Sequence, residues 1–219
     1  LLSSCSEQYM VSGSSNVEGL EGNMLYLRVF KDNDMFAIDS SRVVHGRFKF
    51  RGIMDSVMMA YVFLENSSVM PVVLENGDVN VRIDETTQSA TGTPLNDTLT
   101  CFIRKKSQID ARMAELPHLE MKMLMNGIDH DQVMAELNEQ ALQLEHENDR
   151  LITRFIRSNY NNVLGPGVFM IMTSGFQYPI LNPLIEEIIS QAPPYFMNHP
   201  YVKEYIKEAE SNMEKLRQY

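Results

Sequence analysis

The chain has no tryptophan, and its only two cysteines, Cys5 and Cys101, form no C-x-x-C motif. A redox pair of the thioredoxin type is therefore excluded within this chain. No apolar run reaches the length of a membrane helix. The longest stretch rich in apolar residues, at 57–64, has the length of a strand. The sequence also lacks a Walker loop, a dinucleotide fingerprint and a G-x-S-x-G motif, so it carries no familiar signature of phosphate or acyl chemistry.

Basic residues are also scarce relative to acidic ones. Nineteen lysines and arginines face 29 aspartates and glutamates among 219 residues, which gives a net charge of −10. Such a surface repels polyphosphate and argues against nucleic acid as a partner. The hydrophobic fraction of 44% is sufficient for a packed core. Sixteen methionines are scattered through both halves, which favours core filling over an adaptable binding surface.

Short strand-like segments fill the chain up to residue 91. They are rich in Val, Ile, Phe and Tyr, several alternate apolar with polar residues, and they lie at 24–30, 35–44, 47–52, 58–65, 69–75 and 78–84. Alternation is typical of antiparallel sheets with one buried face. Asn76-Gly77 and the turn around Gly46 predict tight connections between strands. The pattern predicts a meander that closes into a sandwich or an open barrel.

From residue 92 the apolar period changes to about three and a half residues. One heptad row of apolar residues contains Leu95, Phe102, Ile109 and Leu116, and a second row contains Leu137, Leu144 and Leu151. Thr93-Pro94 predicts the first helix start, Pro117 ends or kinks that helix, and Asp129 or Asp131 can cap the second. Two such helices predict an antiparallel hairpin, joined around 118–130, in preference to an intermolecular coiled coil. Further helices are predicted at 165–175, 181–192 and 198–218.

The sequence gives no set of residues with the spacing of a catalytic or metal site. "DHD" (129–131) and "EHE" (145–147) each place a histidine between two carboxylates. Because neighbouring side chains on a helix point about 100° apart, the three cannot easily share one metal ion, and a solvated acidic face is the better explanation. His118 and His199 lie beside prolines and form no set. Cys101 is expected to be a buried, inert thiol. We therefore predict no catalytic, cofactor-binding or metal-binding residues and no cofactor.

Cys5 is the exception. Leu2-Ser3-Ser4-Cys5 resembles the lipobox of bacterial lipoproteins, in which an aliphatic residue and two small residues precede the cysteine that receives the lipid. We predict that residues 1–8 comprise a signal-peptide remnant, the lipobox and a tether, with Cys5 as the lipid-attachment residue. A chance cysteine in a tail is the alternative.

The order of several motifs resembles a known family. "YMVSGSSNVEGLEGNMLYLRVF", "IDSSRVVHGRFKFRG", "PVVLENGDVNVRID" and "TGTPLND" together resemble an uncharacterised N-terminal domain of Bacteroidetes envelope lipoproteins. In that family the domain of unknown function usually precedes a thioredoxin-like domain of the AhpC/TSA or thiol–disulfide interchange type. The resemblance spans about residues 9–100 and continues more weakly through the helices. It implies an envelope location and a possible thioredoxin-like partner, and it transfers no catalytic residues.

These observations predict an α+β protein with three parts: residues 1–8 as described, an antiparallel β domain at 9–91, and an α-helical domain at 92–219 that contains the hairpin. The expected function is that of a lipid-anchored binding or scaffolding module of the bacterial cell envelope, without enzymatic activity. The alternative is an accessory subunit of a periplasmic thiol–disulfide system whose redox domain lies on another chain. A metal-dependent or hydrolytic enzyme, resting on the His-carboxylate clusters alone, is the least favoured.

Overall fold

The computed structural model describes residues 7–31 and 34–217. Cys5 lies outside these residues. Within them, the β elements are β1 (Glu7–Ser15), β2 (Met24–Lys31), β3 (Asp34–Arg42), β4 (Arg47–Met54), β5 (Met58–Leu64), β6 (Ser67–Leu74), β7 (Gly77–Ile83) and β8 (Gln88–Thr91). The helices are α1 (Pro94–Met125), α2 (His130–Ser158), α3 (Leu164–Thr173), α4 (Pro183–Ile189), α5 (Pro194–Met197) and α6 (Pro200–Arg217).

The strands form two four-stranded sheets that pack face to face. One sheet has the order β4-β1-β7-β8, and the other has the order β3-β2-β5-β6. Alternate residues of both sheets meet in one apolar core that includes Val11, Leu27, Phe50, Val62 and Val79. The predicted α+β fold is confirmed, and of the two predicted closures the protein adopts the sandwich.

The strand order differs from the predicted meander. β1 lies between β4 and β7 and runs parallel to β7, with Val11 opposite Val79. Asn76-Gly77 does not close a hairpin, because β6 and β7 belong to different sheets; Gly77 has a φ of 123° and redirects the chain from one sheet to the other. Neither β1 nor β8 is among the six strand segments that the sequence pattern predicts. Alternation identifies a strand with one buried face, but it does not specify the neighbouring strand.

The turn between β3 and β4 is confirmed and has a specific partner. His45 and Gly46 both have positive φ, at 51° and 67°, and Val44 and Arg47 exchange two backbone hydrogen bonds across them. The Glu21 carboxylate accepts from the His45 and Gly46 amides at 2.9 and 2.8 Å. These backbone donors lower the pKa of Glu21. An ionised side chain thus holds the turn in place.

Side chains of β3 close one open side of the sandwich. β3 and β4 are edge strands of different sheets. The Asp39 carboxylate accepts from the Arg51 amide at 2.9 Å, and the Ser41 hydroxyl accepts from the Lys49 amide at 3.0 Å. Two donors on the free edge of β4 are therefore occupied by side chains instead of by another strand.

The opposite side is closed by α1. Asn96 is fully buried and pairs with Val73 of edge strand β6: its amide nitrogen donates to the Val73 carbonyl at 2.8 Å, and its amide oxygen accepts from the Val73 amide at 2.9 Å. One turn later, the Thr100 hydroxyl accepts from the Ala90 amide and donates to the Ala90 carbonyl of edge strand β8, at 3.0 and 2.6 Å. Two side chains of one helix therefore pair with backbone hydrogen-bonding groups on edge strands of both sheets.

The start of α1 is capped differently from the prediction. Thr93 occupies the N-cap position, but its hydroxyl makes no capping bond and accepts instead from the Asn96 side chain at 2.8 Å. The cap comes from Glu75, just after β6, whose carboxylate accepts from the Leu95 and Asn96 amides at 3.0 and 3.2 Å. Glu75 is only 7% exposed. A carboxylate at a helix N-terminus interacts favourably with the helix dipole. Glu75 therefore stabilises the start of α1 and joins it to the sandwich.

The predicted helix hairpin is present, and its connection is shorter than predicted. Pro117 lies inside α1, which continues to Met125, so only residues 126–129 join the two helices. Asp129 is the cap of α2, since its side chain accepts from the amides of Asp131 and Gln132 at 3.0 and 3.4 Å. Phe102 packs on Phe155 near one end, and Met123 packs with Val133 near the other, which makes the pair antiparallel.

The helices cover the part of the outer face of the sheet β3-β2-β5-β6 that is formed by β5, β6 and the end of β2. Val73 of that sheet belongs to the helical core, which also buries Phe169, Ile185, Phe196 and Tyr205. The Phe30 ring meets Tyr201 edge to face, with centroids 5.4 Å apart. This part of the sheet therefore has an apolar core on both faces, and we call its outer contact with the helices the seam.

Asn96→Ala should strongly destabilise the protein. The truncation leaves the Val73 amide and carbonyl buried without partners, and each such group costs roughly 1–3 kcal/mol. We expect a loss of about 2–4 kcal/mol in the free energy of unfolding, measured by urea titration followed by circular dichroism. Asn138→Ala, at an exposed position on α2, is the control and should stay within about 0.5 kcal/mol of the parent. Equal stabilities of the two variants would contradict the proposed closure.

Candidate functional site

The seam contains a cavity of about 350 Å³. Both layers line it: Phe30, Met58 and Met59 come from the sheet, and Pro166, Met170, Tyr195 and His199 come from the helices. Small-molecule sites favour such contacts between structural units and are mostly apolar, with few polar groups. We call this space the seam cavity.

The glycines of "LGPGV" permit the close packing beside the cavity. The segment begins α3, as the sequence predicted, and contains Gly165 and Gly167. A Cβ at Gly167 would lie 2.5 Å from the Met59 Cγ, and one at Gly165 would lie 2.5 Å from the Asn159 carbonyl oxygen. The absent side chain at Gly167 lets α3 approach Met59 of the sheet, and the absent side chain at Gly165 lets α3 approach the end of α2.

Lys31 and His199 contribute the basic side chains of the cavity lining. His199 lies immediately before α6 and is half-buried. Its Nδ1 is buried and has no hydrogen-bond partner among residues 7–31 and 34–217. Burial lowers the pKa of His199, which favours the neutral imidazole near neutral pH. His199 therefore lines the cavity as an uncharged imidazole, and its unpaired Nδ1 lies beneath the accessible surface.

A second buried polar group lies in the same seam. Tyr61 is 6% exposed, and no partner for its hydroxyl occurs in the described part of the chain. It alternates with the core residues Ala60 and Val62, so it faces the helices, where Tyr201 lies nearby. Burial raises the pKa of Tyr61 and keeps the phenol protonated. The Tyr201 hydroxyl, in contrast, is paired with Thr173 at 2.8 Å.

The other histidines and the cysteine that the sequence analysis considered in the helical region lie apart from this cavity. His118, His130 and His146 are exposed, and His130 lies 3.6 Å from Asp131. Across the described ranges, no three His, Cys, Asp or Glu side chains are grouped to hold a metal ion. Cys101 is half-buried in α1, 3.9 Å from an Arg104 nitrogen, and so is less buried than predicted. Among the described helices, none is long and apolar enough to cross a membrane.

Sequence reasoning does not identify this cavity. Along the chain His199 forms no set with other candidate ligands, and Met59 and Met170 are two of sixteen methionines. The available signal is the pair of glycines in "LGPGV", which indicates a close approach without naming what is approached.

Comparison with known proteins finds a family model that matches the β region. Residues 9–99 match the family model described as "Domain of unknown function (DUF4369)". This confirms the predicted uncharacterised N-terminal domain, which comprises the sandwich and the first turns of α1. No curated protein and no solved structure matches the chain. The association with a thioredoxin-like domain stays a prediction.

The burial of His199 predicts a pH dependence of stability. Because its pKa is lowered in the folded state, the unfolded chain takes up a proton first as the pH falls. The contribution of neutral His199 is complete above the ordinary histidine pKa and is lost as the pH falls towards the lowered value. Urea unfolding at pH values between about 7.5 and 5 should therefore show a shallower loss of stability for His199→Phe than for the parent.

His118→Gln, at an exposed histidine, is the matched control and should keep the parental pH dependence. An unchanged slope in His199→Phe would show that the imidazole is not desolvated in the folded protein.

Proposed function

We propose that this protein is a non-enzymatic binding module of the bacterial cell envelope, and that the seam cavity is its ligand site. The observation that carries the proposal is a mostly apolar cavity lined by His199, whose Nδ1 is buried without a partner among the described residues and would meet a ligand after a rotation of the imidazole ring. Its volume of about 350 Å³ is at the small end of the range for organic ligands. We expect a small apolar ligand with one polar group.

The chemistry of the lining specifies that polar group further. A neutral imidazole with an unpaired Nδ1 can accept a hydrogen bond from a hydroxyl or donate one to a carbonyl. The methionine side chains adapt to irregular apolar shapes, while Phe30 and Tyr195 offer aromatic surface. A ligand hydroxyl that pairs with a buried nitrogen adds specificity, because the unpaired nitrogen is costly to leave unsatisfied.

A matched pair of probes tests the proposed site. We expect 4-propylphenol to bind more tightly than propylbenzene, by roughly three- to tenfold, because only the phenol can pair with His199. Binding is measured by nuclear magnetic resonance, with shifts of the Met59 and Met170 methyl groups as the readout. In His199→Phe the ring volume is kept, so both probes should bind with similar affinity.

Met170→Trp serves as a second variant that fills the cavity and should abolish the binding of both probes. Binding that is unaffected by this substitution, or shifts confined to residues away from the seam, would contradict the assignment.

The envelope location rests on the lipobox. A diacylglycerol on Cys5, with a further N-acyl chain, provides the several acyl chains that stable anchoring needs. The acidic surface, with a net charge of −10, would not be attracted to anionic lipid. We propose that Cys5 holds the protein to an envelope membrane and leaves the folded part free to bind its ligand.

Cys5→Ser in the full-length precursor should therefore move the product from the membrane fraction to the soluble fraction, or leave it unprocessed. Cys101→Ser is the matched control and should leave the fractionation unchanged. The measurement is immunoblotting of fractionated cells, together with mass spectrometry of the native N-terminus. An unmodified Cys5 in the native protein would contradict the lipid anchor.

A further inference from the structure

The helix hairpin has opposite charges on its two halves. The base half, residues 94–113 and 147–158, contains seven lysines and arginines against four aspartates and glutamates. The outer half, residues 114–146, contains one lysine against seven acidic residues. A molecule with a net charge of −10 thus concentrates cations at one end of its longest element and anions at the other.

The cations of the base half line a groove between α1 and α2. Lys105 and Arg112 lie on one wall, Arg150 and Arg154 lie on the other, and buried Ile109 and half-buried Leu151 form an apolar floor. Arg112 is paired with Glu147 at 2.7 Å. Lys105, Arg150 and Arg154 have no carboxylate partner in the part of the chain that the structure describes. The groove is therefore apolar at its base and carries unpaired positive charge on its walls.

The same face of α2 becomes acidic towards the tip. Glu136 lies 18 residues before Arg154, which is five turns of an α-helix, so both side chains point in the same direction about 27 Å apart. Glu139 lies 11 residues before Arg150, about three turns, so these two side chains also point in nearly the same direction, about 16 Å apart. Both glutamates are exposed, and they accept hydrogen bonds from the side chains of Gln140 and Gln143 at 3.4 and 3.2 Å.

We propose that this face is the interface of a symmetric homodimer. Its two-fold axis lies in the plane of the interface, perpendicular to α2 near Glu145, midway between Arg154 and Glu136. The operation places α2 of one copy antiparallel on α2 of the other. Arg154 then faces Glu136 of the second copy, and Glu136 faces its Arg154, so each pair occurs twice.

The occupant is a second copy because the chain carries both complementary surfaces in the spacing that symmetry requires. In an isologous dimer, each residue that contacts a partner residue is contacted in return. A face with its cations and anions separated along one helix satisfies that rule when the two copies run in opposite directions. An unrelated acidic helix could use only the basic groove and would leave the outer carboxylates unpaired.

The oligomeric state tests the proposal. Sedimentation velocity of the full chain under reducing conditions, at about 100 µM and about 50 mM salt, should show a dimer that weakens at least tenfold near 1 M salt, because screening is then nearly complete. A monomer under the low-salt condition would overturn the proposal, as would a dimer that is insensitive to salt.

Two single charge reversals then test the register. Arg154→Glu places like charges opposite each other at both ends of the interface, and so does Glu136→Arg, so each variant alone should be monomeric. Both positions are exposed, and circular dichroism should show unchanged folding. Lys203→Glu, an exposed charge reversal on α6, is the matched control and should leave the dimer intact.

An equimolar mixture of the two variants should form a heterodimer. The carboxylate introduced by Arg154→Glu in one copy would face the guanidinium introduced by Glu136→Arg in the other. At the opposite end, the unchanged Glu136 of the first copy would face the unchanged Arg154 of the second, so both ends regain opposite charges. Failure of the mixture to associate, or a dimer in either single variant, would overturn the proposed arrangement of the two copies.

Discussion

The architecture depends on α1 substituting for a strand at two sheet edges. Asn96 pairs with both backbone groups of Val73, and Thr100 pairs with both backbone groups of Ala90. A sandwich of two small sheets leaves edge donors and acceptors that must be satisfied, and side chains on a helix do this without extending either sheet. Because the helix serves both sheets, its position relative to the sandwich is fixed at its first two turns.

That fixed position determines where the remaining helices can lie. α1 pairs with α2 along its length, and α2 contributes Ile152 and Ile156 to the helical core that also holds Val73. The outer face of the sheet β3-β2-β5-β6 is thereby covered at β5, β6 and the end of β2, with Met59 against Gly167 and Phe30 against Tyr201. Incomplete filling of this contact leaves the seam cavity, with His199 at its wall.

Polar groups in the interior divide into two kinds. Glu75 and Asn96 are buried and hydrogen-bonded, since they cap α1 and pair with β6. His199 Nδ1 and the Tyr61 hydroxyl at the seam are buried without partners among the described residues, as are single atoms of Asn148, Thr153 and Arg157 on α2. An unpaired buried group costs free energy, whereas the paired groups hold the architecture together. The seam holds two of these unpaired groups, beside the cavity that we propose as the ligand site.

The type and approximate bounds of most elements follow from the amino-acid sequence alone, because period-two alternation and the heptad rows of apolar residues are local properties of the chain. The turn around Gly46 follows from it as well, and so does the restriction of the α2 cap to Asp129 or Asp131, since both depend on neighbouring residues. Three features instead needed the folded chain: β1 runs parallel to β7, Glu75 caps α1 in place of Thr93, and Met59 meets His199 across a cavity. These features join residues distant in sequence, and alternation specifies a buried face without specifying what covers it.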